Sequence, residues 1–199
     1  MTCSPKLSEE SFLYRSTAYH APTCVESTNH SVVVYRTADL VRWEFPGEAL
    51  PASARPDKAI EYRPHVVVNA KTQLFVMWYN IYAPDDEVRF RYAVAVSQTA
   101  QGPYRVTSIN VAMRARGVKV GDFDILVDGS RAILVHGDGH MAVEELDPTF
   151  TRASGRVAYF DTPADKWNRG AEGPVSSGAA ISTTSYQEQD AAAVWVAQI

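Results

Sequence analysis

The chain has 199 residues, 46% of them hydrophobic and 11% aromatic, which is enough apolar material for a globular core and argues against disorder. A formal net charge of −4, with Lys and Arg scattered along the chain, provides no sequence-wide basic field and excludes nucleic acid as an expected partner. No stretch is long and apolar enough to cross a bilayer as a helix, so no membrane partner is expected, and the length suits one domain.

The opening segment, MTCSPKLSEE, lacks the apolar core of a signal peptide, and residues 1–10 are expected to be disordered. Cys3 and Cys24 make no disulfide framework and read as free thiols. From Ser11 onward, apolar and polar residues alternate in short runs separated by turn residues. Strands are expected at 31–36, 64–69, 74–80, 91–97, 122–127, 131–136 and 141–146. They are rich in Val, Ile, Phe, Tyr and Trp, and no run has a sustained apolar stripe at helical spacing, so the class is all-β.

The order of these strands repeats. VVVYRTADLVRWEF, YAVAVSQTAQGPYRV and MAVEELDPTFTRA each run from strand through polar turn to an outer strand region. HVVVNAKTQLFVMWYN and FDILVDGSRAILVHG each set a turn, Asn-Ala-Lys-Thr or Asp-Gly-Ser, between two apolar strands. Units of four antiparallel strands, recurring every ~40 to 60 residues, fit the blades of a propeller, where a sandwich would not explain the recurrence. A partial first blade starts near Ser11, a second at Pro64, a third at Asp122 and a fourth near Glu172. Residues 11–175 therefore read as a partial propeller domain, and 176–199 as a degenerate or truncated C-terminal segment with one strand at 192–197.

VYRTADLVRWE, EYRPHVVVNAKTQLFVMWYN, YAVAVSQTAQGPYRV and GDFDILVDG together resemble the galactanase-type members of glycoside hydrolase family 43. The family's Ser/Thr-x-Asp-Leu-x-x-Trp turn is matched by Thr37, Asp39, Leu40 and Trp43, and its Glu-Arg-Pro by Glu61, Arg63 and Pro64 with Tyr62 interposed. The resemblance implies an incomplete five-bladed β-propeller of about three blades plus the start of a fourth. It also implies inverting hydrolysis of O-glycosidic bonds in galactan-, arabinan- or xylan-type polysaccharides, with no cofactor and no metal. Secretion is implied if the natural chain begins upstream of Met1.

Three carboxylates carry such chemistry: a base that activates water, an acid that protonates the leaving oxygen, and a third that tunes the acid. By resemblance, Asp122 is the tuning Asp and Glu172, in Ala-Glu-Gly-Pro, is the acid. The base has no counterpart, because no Asp precedes Asp39, which reads as a turn residue bonding its own backbone. Glu61, Arg63, Trp78, Asp124 and His140 are the candidate substrate-binding residues. Trp78 and Tyr79, being adjacent, face opposite sides of one strand, and Trp43 reads as core packing.

Other chemistries lack their signatures. The histidines show no HExxH or Cys/His spacing, His136 and His140 read as loop residues, and no G-x-S-x-G elbow occurs. Two further readings stay open beside the hydrolase. One is a non-catalytic carbohydrate-binding propeller fragment, favoured by the missing base; the other is a structural propeller module that binds protein.

Overall fold

The computed structural model describes residues 10–17, 19–20, 25–26, 31–56, 58–83, 85–160 and 195–198. Among the described residues the chain is all-β, with one short 3-10 turn at Ala52–Ala54 and no α-helix. It divides into two compact units, Met1–Ile109 with Ala191–Ile199, and Asn110–Asp190.

The first unit opens with β1 (Ser11–Ser16), a short hairpin of β2 (Tyr19–His20) and β3 (Val25–Glu26), then β4 (Val32–Thr37) and β5 (Glu44–Leu50). β1 pairs antiparallel with β4, and β4 with β5. The second sheet runs β6 (Ile60–Asn69), β7 (Leu74–Tyr82), β8 (Phe90–Ser97) and β9 (Arg105–Ser108) in sequence order, all antiparallel.

Turn chemistry sets these hairpins. Between β6 and β7 the Asn69 side-chain oxygen accepts the amides of Lys71 and Thr72, both at 3.0 Å, and Gln73 takes a left-handed φ of 57° to close the turn. Between β4 and β5 the Asp39 carboxylate accepts the amides of Val41 and Arg42, at 2.9 and 2.7 Å, as expected of a turn residue. These bonds, Arg42 first, hold the Asp39 carboxyl below the ordinary carboxylate range. Trp43 departs from the expected core packing. It sits in the irregular turn ahead of β5 and is 37% exposed, because outside the strand no pleat turns its ring inward.

The core of this unit is one cluster in which Phe12, Tyr14 and Val34 of the first sheet meet Met77, Tyr79 and Ile81 of the second. Burying each such side chain contributes ~1.5–3 kcal/mol. Two polar ties cross the same seam. The Tyr14 hydroxyl donates to the carbonyl of Ala100 at 2.7 Å, its ring stands edge-on to Tyr104 at 6.2 Å, and the Tyr104 amide donates to the carbonyl of Ala49. Along β7 every residue from Val76 to Ile81 is buried, so both faces of this strand are covered.

The second unit holds β10 (Asp122–Asp128), β11 (Arg131–Asp138), β12 (His140–Leu146) and β13 (Ala153–Tyr159), an antiparallel sheet in sequence order. Gly129, at φ 59°, allows the two-residue turn between β10 and β11. Phe123, Ile125, Leu134, Ala142 and Leu146 lie on the buried face, while Leu126 on the other is 62% exposed. His136 is not a loop residue: it lies within β11, in phase with Ala132 and Leu134, and so falls on the buried face. His140 likewise opens β12 rather than sitting in a loop.

A last strand, β14 (Trp195–Gln198), belongs to the first unit and pairs antiparallel with β1, placing Ser11 opposite Gln198. The expected strand at 192–197 corresponds to it in part. Residues 1–9 of the start expected to be disordered at 1–10, both cysteines and the fourth-blade start near Glu172 lie outside the described residues.

Candidate active site

In the first unit the Glu-Tyr-Arg-Pro segment forms a β-bulge. Register shifts between Tyr62 and His65, and Arg63 takes φ 54°, a conformation L residues adopt only when their surroundings demand it. Pro64 supplies no amide to the ladder, which suits the interruption. The bulge turns the Arg63 guanidinium over the Tyr62 ring, 5.9 Å from its centre.

Two residues before the bulge, Glu61 is fully buried on the face that also carries Ile81, its cross-strand partner, and Tyr79. The Ser16 hydroxyl donates to the Glu61 carbonyl and so ties β1 to this point of β6. Burial pushes the Glu61 carboxyl up to about 7, and the nearby Arg55 guanidinium only partly offsets it. Tyr79 is also fully buried, its hydroxyl has no hydrogen-bond partner among the described residues, and burial followed by the Glu61 charge pushes its pKa up. Across β7, Arg91 pairs with Asp86 and donates through Nε to the carbonyl of Val88 at 2.7 Å.

Trp78 lies on the opposite face of β7 and is fully buried, as is Tyr79, so neither ring offers a face on which a sugar can stack. The sugar-stacking expectation for Trp78 is corrected on this ground, since continuous burial of β7 withdraws both sets of alternating side chains.

In the second unit Asp122 opens β10, and Asp124, two residues on, shares its face; both are exposed. The Asp124 carboxylate accepts the amide of Ile125 at 2.7 Å. Beside them two glycines allow close backbone approach: a Cβ on Gly121 would collide with the carbonyl of Gly137, and one on Gly137, at φ 147°, with the carbonyl of His140. His140, exposed, pairs across this hairpin end with Asp138. Asp122, Asp124 and His140 thus gather at the Gly121–Gly137 end of one sheet, and Glu61 and Arg63 adjoin one bulge of another. Glu172 lies outside the described residues.

One buried carboxylate escaped sequence reasoning. Glu144 of β12 is fully buried and accepts the Arg114 amide on both oxygens, the Ala115 amide at 2.8 Å, and an interaction with Nε2 of buried His136 at 3.0 Å. Its signal was its phase: Glu144 falls between Ala142 and Leu146 on the inward side of an alternating strand.

No family model and no curated protein matches the sequence. Solved structures do match. An exo-β-1,3-galactanase from Clostridium thermocellum is 25% identical with a TM-score of 0.60, over 72% of this chain and 33% of its own. A family 43 β-1,3-galactosidase bound to galactodeoxynojirimycin is 20% identical with a TM-score of 0.61, over 76% of this chain and 58% of its own. A thermostable family 43 glycoside hydrolase is 19% identical with a TM-score of 0.58, over 81% of this chain and 52% of its own. The architecture is therefore that of a β-sheet carbohydrate-active fold. More particularly, the chain has the galactanase-like fold of glycoside hydrolase family 43. It spans between one third and three fifths of the length of these structures.

Proposed function

We propose that this chain is a glycoside hydrolase of the family 43 type. It binds oligo- or polysaccharide of the galactan, arabinan or xylan class and hydrolyses O-glycosidic bonds with inversion, on a five-bladed propeller of which the described sheets are part. The single observation that carries the reading is the galactanase-like fold, which matches an exo-β-1,3-galactanase at 25% identity with a TM-score of 0.60.

In this reading Asp122 tunes the acid and Glu172 is the acid, while the base has no counterpart among the residues that the resemblance matches. Inversion places base and acid on opposite faces of the sugar, with carboxyls ~6.5–9.5 Å apart and water between base and ring. Asp124, His140 and Arg63 contribute polar contacts to substrate, and Trp78 contributes packing alone.

The test is incubation of the full chain with β-1,3-galacto-, arabino- and xylo-oligosaccharides, reading product anomers by NMR. Turnover with inverted configuration, reduced ~10²-fold or more in Glu172→Gln, supports the assignment. Because β1, SFLYRS, carries no carboxylate, a non-catalytic carbohydrate-binding module is the second reading; sugar binding without turnover selects it. Absence of sugar binding overturns both.

A further inference from the structure

The segment leading into Asp122 has a pattern that the hydrolase reading does not use. Arg114, Arg116 and Lys119 are exposed, while Met113, Ala115, Val118 and Val120 are half-buried. The backbone of this segment is tied to the sheet. The amides of Arg114 and Ala115 donate to the Glu144 carboxylate, and the Arg116 amide donates to the Tyr159 hydroxyl at 2.9 Å. Three consecutive amides are held on acceptors from β12 and β13, which anchors the segment on the sheet while Arg114 and Arg116 stay exposed.

None of the three cations pairs with a carboxylate among the described residues, whereas Arg131 and Arg156 of the same unit both pair with Glu145. In a chain of net charge −4, residues 114–119 carry three unpaired cations and no carboxylate. Lys119 is three residues from Asp122, a reach of at most ~11 Å. The screening length in physiological salt is ~8–10 Å, so cations this close along the chain add their fields at a ligand seated beside them. A neutral sugar gains nothing from such a field; a carboxylate or sulfate does.

We infer that residues 114–119 form an anion-selecting subsite beside Asp122, which takes an acidic sugar unit of the glycan, a uronate or a sulfate ester. The inference rests on the reading that the Asp122 end of its sheet receives glycan. It concerns which glycan is preferred, not whether a bond is cleaved.

The test measures binding to the full chain by calorimetry, with three probes: β-1,3-galactotriose, the same trisaccharide ending in glucuronic acid, and its sulfated counterpart. At about 0.01 M salt, where a charge reaches ~30 Å, an acidic probe is expected to bind roughly tenfold tighter than the neutral one. At about 1 M salt, with ~3 Å reach, the preference should vanish. The combined variant Arg114→Gln, Arg116→Gln, Lys119→Gln should lose the preference and keep neutral binding, while Arg114→Lys with Arg116→Lys should retain it. Uronate bound over sulfate, or the reverse, identifies the anion. Equal binding of neutral and acidic probes, or tighter binding of a single-stranded oligonucleotide than of either acidic sugar, overturns the subsite and leaves the glycosidase reading standing. Failure of all three sugars removes the glycosidase reading together with the subsite.

Discussion

Both carboxylate oxygens of Glu144 accept the amide of Arg114, at 3.0 and 2.9 Å. A fully buried carboxylate thus does for the segment before β10 what a neighbouring strand does elsewhere, supplying acceptors for amides that have no ladder partner. Glu144→Ala should cost roughly 2–4 kcal/mol, because the Arg114 and Ala115 amides lose their acceptor and buried His136 loses its contact with the carboxylate. Hydrogen exchange at Ala115 is the direct readout. It should accelerate in the variant far more than exchange within β11, and equal acceleration throughout the sheet would mean that Glu144 does not hold this segment in particular.

Stability should fall as pH rises through the range set by Glu61. The folded carboxyl keeps its proton up to about 7, whereas its ordinary value is 4.5. Folding therefore binds a proton between these values; stability from this group is greatest below 4.5, declines toward 7 and is flat above, by about 3 kcal/mol in total. Glu61→Gln removes the decline. The variant's melting temperature should exceed that of the parent at pH 8 by much more than at pH 5, and an equal difference at both would refute the assignment.

Gly137→Ala should be severely destabilising. The site combines a φ of 147° with a carbonyl from His140 in the space a Cβ needs. Denaturant unfolding should show a loss of ~2 kcal/mol or more. Gly129→Ala is the control: at φ 59° it is strained, yet nothing lies within 4 Å of an added Cβ, and its cost should be clearly smaller.

Tyr14→Phe should cost only about 1 kcal/mol, since the Ala100 carbonyl keeps the Tyr104 hydroxyl as a donor at 3.2 Å. Tyr14→Ala, which empties a fully buried site, should cost ~3–5 kcal/mol. Urea midpoints of the two variants that coincide would show that packing at this seam is not what the contacts indicate.

Period-two alternation carried most of the fold. The strands at 74–80, 91–97 and 122–127 correspond to β7, β8 and β10 within two residues at each end, because one alternating pattern and its flanking turns are local properties. What alternation could not reveal was burial on both faces of β7: Trp78 has the chemistry of a sugar platform, and only tertiary packing removes it from solvent. Glu61 was legible as a candidate but not as a titrating group, since the shift arises from desolvation by residues distant in sequence. Arg63 was named from a motif, yet its left-handed backbone could not be read from an arginine, which seldom adopts it.

The pairing of Ser11 with Gln198 has a consequence for synthesis. As the chain leaves the ribosome, β1 waits for a strand some 180 residues behind it, ~10–40 s at ordinary elongation rates. The unit at Asn110–Asp190 lies wholly inside that interval of sequence and can assemble first. Until β14 has been made, β1 therefore keeps one edge unpaired, the kind of open template that invites association with other nascent chains.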